Sequence, residues 1–168
     1  MIRRLILILP IAALPWLAYA EEKPSDQKAM DSAKLMAGPK DDKEKVAPGA
    51  IDKDAKPEFT KTSSGLKYRI LRNSKKKKPT ASQTVSVHYK GWLDDKTIFD
   101  SSYRRGKVST FPLRAVISGW TEGLQLIGEG GMIELEIPAK LGYGMRGSPP
   151  KIPPLATLHF LVELAEIK

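Results

Sequence analysis

The sequence predicts an α+β fold, an antiparallel sheet of four or five strands wrapped over one short helix, carried by the part of the chain after residue 57. Three observations predict it. Apolar residues recur with a period of two in four separate stretches between Leu66 and Leu164, the mark of strands with one face buried. One stretch alone, around Trp120, repeats with the helical period. At 168 residues the chain has room for one domain of ordinary size and little more.

Taken in order, residues 1–20 open with Arg3 and Arg4, run through an apolar stretch from Leu5 to Leu17 and close on Ala18-Tyr19-Ala20. A basic start, an apolar centre and a small-x-small end are the parts of a secretory signal peptide, so cleavage after Ala20 is expected. The apolar run is shorter than the roughly 20 residues a membrane span needs. Pro10 and Pro15 interrupt it, and no span is expected after cleavage. Residues 21–57 carry 8 basic and 9 acidic side chains, no aromatic residue and few apolar ones. Such a stretch cannot bury enough surface to offset its ordering entropy and is expected as a charged, flexible N-terminal segment. Inside it, Ala29, Met30, Ala33 and Met36 share one face of a short helix over Asp26 to Met36, ended by Pro39.

The folded domain is expected over 58–168. Leu66, Tyr68 and Ile70 alternate with Lys67, Arg69 and Leu71 as a first strand, and Val85, Val87 and Tyr89 mark a second. Between them Lys75 to Lys78, beside Pro79, read as a solvated loop. Trp120, Leu124 and Ile127 fall at i, i+4 and i+7 between Gly119 and Gly128, giving one helix with Gly128 placed as its C-terminal stop. Ile133 to Ile137 and Leu158 to Leu164 alternate cleanly as two further antiparallel strands.

Composition excludes several chemistries. There is no cysteine, so disulfides, thiolate nucleophiles and Cys-based metal sites are ruled out. His88 and His159 are the two histidines, each inside an expected strand, and no His-x-x-x-His, Gly-x-Ser-x-Gly or phosphate-loop pattern occurs. No metal and no cofactor is expected. Export rests on the signal alone, which gives a periplasmic or secreted protein. Most of the net charge of +9 resides in the domain, where residues 58–168 carry 18 basic and 10 acidic side chains. A polyanion binder would use Lys75 to Lys78, Arg104, Arg105 and Lys107, but no interleaved aromatics or reading motif accompany them, and nucleic acid is not an expected partner.

The informative feature is a set of aromatics set among glycines and prolines: Tyr89, Trp92, Phe99, Phe111, Trp120, Tyr143 and Phe160. Singly, each is core material; their order says more. Val87-His88-Tyr89-Lys90-Gly91-Trp92-Leu93, Phe99-Asp100-Ser101-Ser102, and Val116-Ile117-Ser118-Gly119-Trp120-Thr121-Glu122-Gly123-Leu124 are followed by Leu141-Gly142-Tyr143-Gly144 and by Ile152-Pro153-Pro154-Leu155-Ala156-Thr157-Leu158 leading into Phe160-Leu161-Val162-Glu163-Leu164. Over residues 64–168 this resembles the FKBP family of peptidyl-prolyl cis-trans isomerases, and within it the exported, macrophage-infectivity-potentiator type, although the long dimerising helix of those proteins has no clear counterpart.

The resemblance implies a twisted five-stranded antiparallel half-barrel around the helix, with an apolar cleft between them. Trp120 is implied as the cleft floor, and Tyr89, Phe99, Phe111, Val116, Ile117, Ile152 and Phe160 as its walls. Asp100 is implied at the rim, and the Tyr143 hydroxyl and Ile117 N–H as donors to substrate carbonyls. Catalysis is assigned to Phe99, Asp100 and Tyr143, and the implied partners are proline-containing unfolded or secreted polypeptides, with macrolide inhibitors in the same cleft. A second reading is a proline-segment-binding chaperone with weak turnover. This chain departs from the pattern at Ser109, where an aromatic wall residue is usual, at Lys151, which replaces an apolar neighbour of Ile152, in a shorter Leu113 to Val116 segment, and in the turn after Leu93, which lacks its glycine.

Overall fold

The computed structural model describes residues 38–168; the expected signal peptide and the helix over 26–36 lie outside the described residues. Seven strands, β1 (Thr60–Lys61), β2 (Lys67–Arg72), β3 (Thr84–Trp92), β4 (Ile98–Ser101), β5 (Ser109–Pro112), β6 (Met132–Ile137) and β7 (Leu158–Ile167), form one antiparallel sheet in the order β1-β2-β6-β7-β3-β4, with β5 also paired to β3. The long strands β2, β3, β6 and β7 are those whose alternation the sequence displays. The short β1, β4 and β5 add edge pairings that so few residues cannot announce.

Among the described residues, two α-helices interrupt the strands. α1 (Ser102–Arg105) was not expected: Ser101 caps it by accepting the Arg104 N–H, and Gly106 ends it at φ 71°. α2 (Ser118–Leu124) is the helix the Trp120 periodicity predicts, but it stops four residues before Gly128, with Gln125 as its cap. Gly128 instead lies against backbone, where a Cβ would stand 2.4 Å from the Lys76 carbonyl oxygen. So short a helix is held by packing rather than propensity. Cβ atoms on Gly119 and Gly123 would stand 2.6 and 2.7 Å from Ile137 and Leu135, so two bare positions let α2 lie directly on β6.

The main core fills the space between α2 and the inner sheet face: Val85, Val87, Ile133, Leu135, Leu158, Val162 and Leu164 pack against Trp120, Leu124 and Ile127. Leu71, alternating with Ile70, faces the other side of the sheet, where it joins Trp92, Met132 and Leu161, and a bulge that sets Arg72 opposite Met132 brings Arg72 to that side as well.

That outer face is covered, which corrects the expectation of a solvated segment through Pro57. Residues 38–57 cross it as a strap, with Ile51 and Ala55 packed on the second cluster. Its hold comes largely from polar groups: Lys45 N–H donates to the Tyr103 carbonyl at 3.0 Å and Asp52 N–H to the Leu71 carbonyl at 2.8 Å. Gly49 N–H donates to Glu163 Oε1 at 2.8 Å, and Arg104 Nε to Asp41 Oδ2 at 2.6 Å. Lys90 and Glu44 form an ion pair at 3.2 Å beneath it. Among the described residues no helix is long and apolar enough to cross a membrane.

Candidate functional site

Between α2 and the open side of the sheet lies a cavity of about 310 Å³ lined by Tyr89, Phe99, Asp100, Phe111, Ala115, Val116, Ile117, Trp120, Tyr143 and Phe160. Its shape follows from local backbone chemistry. In the β3–β4 ladder Gly91 pairs with Asp100 and Trp92 with Ile98, so Phe99 is the extra residue of a bulge. A bulge re-aims side chains, and here adjacent Phe99 and Asp100 both reach the cavity instead of pointing to opposite faces.

Trp120, at the first turn of α2, is the centre of an edge-to-face cluster. Its ring meets Tyr89 at 5.2 Å, Phe160 at 5.2 Å and Phe111 at 5.8 Å, with interplanar angles of 82–88°. Phe99 meets Phe160 at 5.5 Å and 85°. Perpendicular rings set the positive edge of one against the negative face of the next, so the walls are rigid as well as apolar. The Trp120 indole N–H is buried without an acceptor among the described residues; the floor offers area, not a hydrogen bond.

The polar rim is a closed triangle. The Tyr89 hydroxyl donates to Asp100 Oδ2, Arg105 Nη1 donates to Asp100 Oδ1 at 2.6 Å, and Arg105 Nη2 donates to the Tyr89 hydroxyl at 2.9 Å. Burial works against the Asp100 carboxylate, but the bonds from Tyr89 and Arg105 outweigh it and hold the carboxyl below its ordinary value. Burial and the bond to Asp100 push Tyr89 up to about 12. Asp100 is therefore an anion and Tyr89 a neutral donor at physiological pH.

Donors for a bound carbonyl stand nearby. Ile117 caps α2: its carbonyl accepts from Trp120 and Thr121 N–H, while its own N–H, ahead of the helix, donates to no described residue. Tyr143 is 42% exposed at the mouth.

Nine of the ten expected site residues line the cavity. Ile152 does not: an antiparallel bridge to Ser148 pins it and it packs 5% exposed in the main core. Ala115 lines the cavity with no signal in the sequence. Arg105, which the sequence suggests only as a surface cation, joins the rim; the signal for it is a carboxylate five residues earlier, beside an aromatic, that needs a counter-charge. Ser109, in place of an aromatic, accepts from Arg105 Nη2 at 3.1 Å. His88 is bonded to Ser102 and His159 to Asp94, both outside the cavity.

A family model described as FKBP-type peptidyl-prolyl cis-trans isomerase matches residues 75–165. The chain is 44% identical over 142 residues to a probable FKBP-type peptidyl-prolyl cis-trans isomerase FkpA of Neisseria meningitidis, covering 84% of this chain and 52% of that one. It is 50% identical over 118 residues to FkpA of Escherichia coli, covering 70% and 43%. The crystal structure of the Escherichia coli FkpA superposes with a TM-score of 0.64 at 39% identity, over 86% of this chain and 59% of that one. A peptidyl-prolyl cis-trans isomerase from Pseudomonas syringae gives 0.62 at 31% identity, over 88% and 98%. The chain spans about half the length of the curated relatives it matches.

Proposed function

This chain belongs to the FKBP-type peptidyl-prolyl cis-trans isomerase family, and from that premise we propose that it accelerates rotation about prolyl peptide bonds in exported polypeptides, assisting their folding. The observation that carries the reading is the Trp120-floored aromatic cavity with the Tyr89–Asp100–Arg105 rim at its mouth.

The barrier to prolyl rotation is about 18–20 kcal/mol and comes from the resonance lost when the amide twists. The planar amide is the more charge-separated form, so moving it from water into an aromatic cavity disfavours it more than the twisted form. Phe99, Trp120 and Phe160 would enclose the proline ring and exclude water. The Ile117 N–H and Tyr143 hydroxyl would hold carbonyls in the twisted geometry, and such donors lower the barrier only insofar as they fit the transition state better than the ground state. Asp100, fixed by Tyr89 and Arg105, would set a negative charge beside the twisting nitrogen end of the amide. No covalent step is needed.

A signal peptide over residues 1–20, cleaved after Ala20, would deliver the protein to the periplasm or outside the cell, and the pattern of Arg3, Arg4, the apolar run and Ala18-Tyr19-Ala20 supports this. The test is the cis-to-trans rate of a short peptide containing Leu-Pro or Phe-Pro with purified mature protein and with its Phe99→Ala and Asp100→Ala variants. Acceleration that both variants lose supports the assignment. No acceleration by folded wild-type protein would replace turnover with a holding role for proline segments.

A further inference from the structure

The rim of the cavity carries more positive charge than its own carboxylate can match. Arg105 and Lys151 bracket Asp100: Arg105 Nη1 donates to Asp100 Oδ1 at 2.6 Å, and Lys151 Nζ donates at 3.2 Å to the Phe99 carbonyl, in the peptide unit that enters Asp100. Both Asp100 oxygens are engaged, one by Tyr89 and one by Arg105. Lys151 forms no ion pair with any described carboxylate, and neither do Arg114 and Arg146. Arg114 adjoins the lining residue Ala115, Arg146 follows Tyr143 by one turn of loop, and both are exposed.

Several of the carboxylates on the sheet are committed elsewhere. Glu134 and Glu136 pair with Arg69 and Lys67 on β2, and Asp41, Glu44 and Glu163 serve the strap or the ladder beneath it. Ser109 adds an opening. With a short hydroxyl where a ring would stand, the Arg105 guanidinium is left 40% exposed at the cavity mouth. Three of its five N–H donors are engaged, one on Nη1 by Asp100 and both on Nη2 by Tyr89 and Ser109, which leaves the second Nη1–H and the Nε–H for a further carboxylate oxygen.

Resting on the isomerase reading above, we propose that this rim selects proline segments bearing an aspartate or glutamate within about two residues of the proline, a reach of roughly 7 Å of extended chain, the carboxylate settling between the Lys151 ammonium and the N–H groups that Arg105 has left uncommitted. The cavity takes the apolar ring and the rim reads the charge beside it. Complementary charge at a partly exposed rim acts through encounter rate and orientation and weakens with salt.

The experiment uses three peptides identical except for Glu, Gln or Lys next to the Leu-Pro pair, with full-length mature protein at about 20 mM and about 500 mM salt. Prolyl exchange is read by NMR and binding by fluorescence anisotropy, for wild type, Lys151→Gln and a control, Lys77→Gln, in the exposed loop before β3. The expected result is a kcat/KM about fivefold higher for the Glu peptide than for the Gln peptide at low salt and lower still for Lys. That preference should collapse at high salt, shrink in Lys151→Gln and persist in Lys77→Gln. Equal rates for all three peptides would overturn the proposal while leaving the isomerase standing, and so would a Glu preference indifferent to Lys151. Binding that ranks Glu over Gln through Lys151, with no peptide accelerated, would keep the charge preference and sink the isomerase reading. Absence of both effects overturns both.

Discussion

Gly91 lies directly under Phe99: a Cβ built on Gly91 would stand 2.6 Å from Phe99 Cζ and 2.6 Å from Phe160 Cε1. The two rings meet edge to face only because this position of β3 has no side chain. Gly91→Ala should therefore displace both rings and lower kcat/KM by about tenfold or more, since misplacement by about 1 Å can cost about 100-fold. A prolyl-peptide assay beside far-UV circular dichroism checks it. A folded Gly91→Ala protein with wild-type turnover would show that Phe99 is not held where catalysis needs it.

The rim triangle makes a pH prediction. The folded-state value of Asp100 is depressed, against burial, by its bonds to Tyr89 and Arg105. A depressed acid contributes stability above its unfolded-state value and loses it as pH falls through the folded one. Tyr89 is raised to about 12, so its contribution is complete below the unfolded-state value of 10.0 and is lost only as pH rises toward 12. Turnover and melting temperature should be flat from roughly pH 5 to 9 and fall below about pH 4. Arg105→Gln removes one of the lowering partners, so its acid limb should begin at higher pH. An unmoved limb would mean that Arg105 does not govern the carboxylate.

What the sequence made legible divides along a physical line. Alternation in β2, β3, β6 and β7 records which face is buried, and the aromatic residues of the cavity, Tyr143 in its loop excepted, stand in strands or at a helix start where their order is diagnostic. Three things left no such trace. The strap is held by the Gly49, Lys45 and Asp52 N–H groups, and backbone donors do not appear in composition. Arg105 reaches the rim because α1 turns it back toward Asp100, and a four-residue helix carries no periodicity. Ile152, expected on a wall from its place in a motif, is not among the residues that line the cavity, and a motif's order does not tell lining from packing behind it.

The turn after β3 tests a smaller point. Lys96, in the turn where the family carries a glycine, adopts φ 69°, a conformation that costs a side-chain-bearing residue about 1–2 kcal/mol. Glycine there removes that strain but adds unfolded-state entropy worth about 0.5–1 kcal/mol. Lys96→Gly should raise unfolding stability by about 0.5 kcal/mol and leave peptide turnover unchanged, because the turn lies outside the cavity. Urea titration decides it, and a loss of stability would mean that the Lys96 side chain makes contacts worth more than the strain.

Glu163 is the residue on which the strap's attachment converges. Oε1 accepts from the Tyr103 hydroxyl at 2.6 Å and from Gly49 N–H at 2.8 Å, while Oε2 accepts from Arg72 Nη2 at 2.8 Å, and Arg72 Nη1 reaches on to the Ala50 carbonyl at 2.9 Å. Burial opposes its charge, but these donors prevail and hold the carboxyl below its ordinary value. Glu163→Gln keeps the shape, removes the charge and faces one of the three donors with an NH2 group, so it should cost about 2 kcal/mol in urea unfolding. Because the strap shields Trp92 and Leu161 on the outer face, away from the cavity, proteolysis within residues 38–57 should quicken while small-peptide turnover stays near wild type. Turnover that fell in step with stability would tie the strap to the site through Lys45, Tyr103 and α1, since that helix also carries Arg105. Proteolysis that did not quicken would mean that the apolar contacts of Ile51 and Ala55 suffice to hold the strap without Glu163.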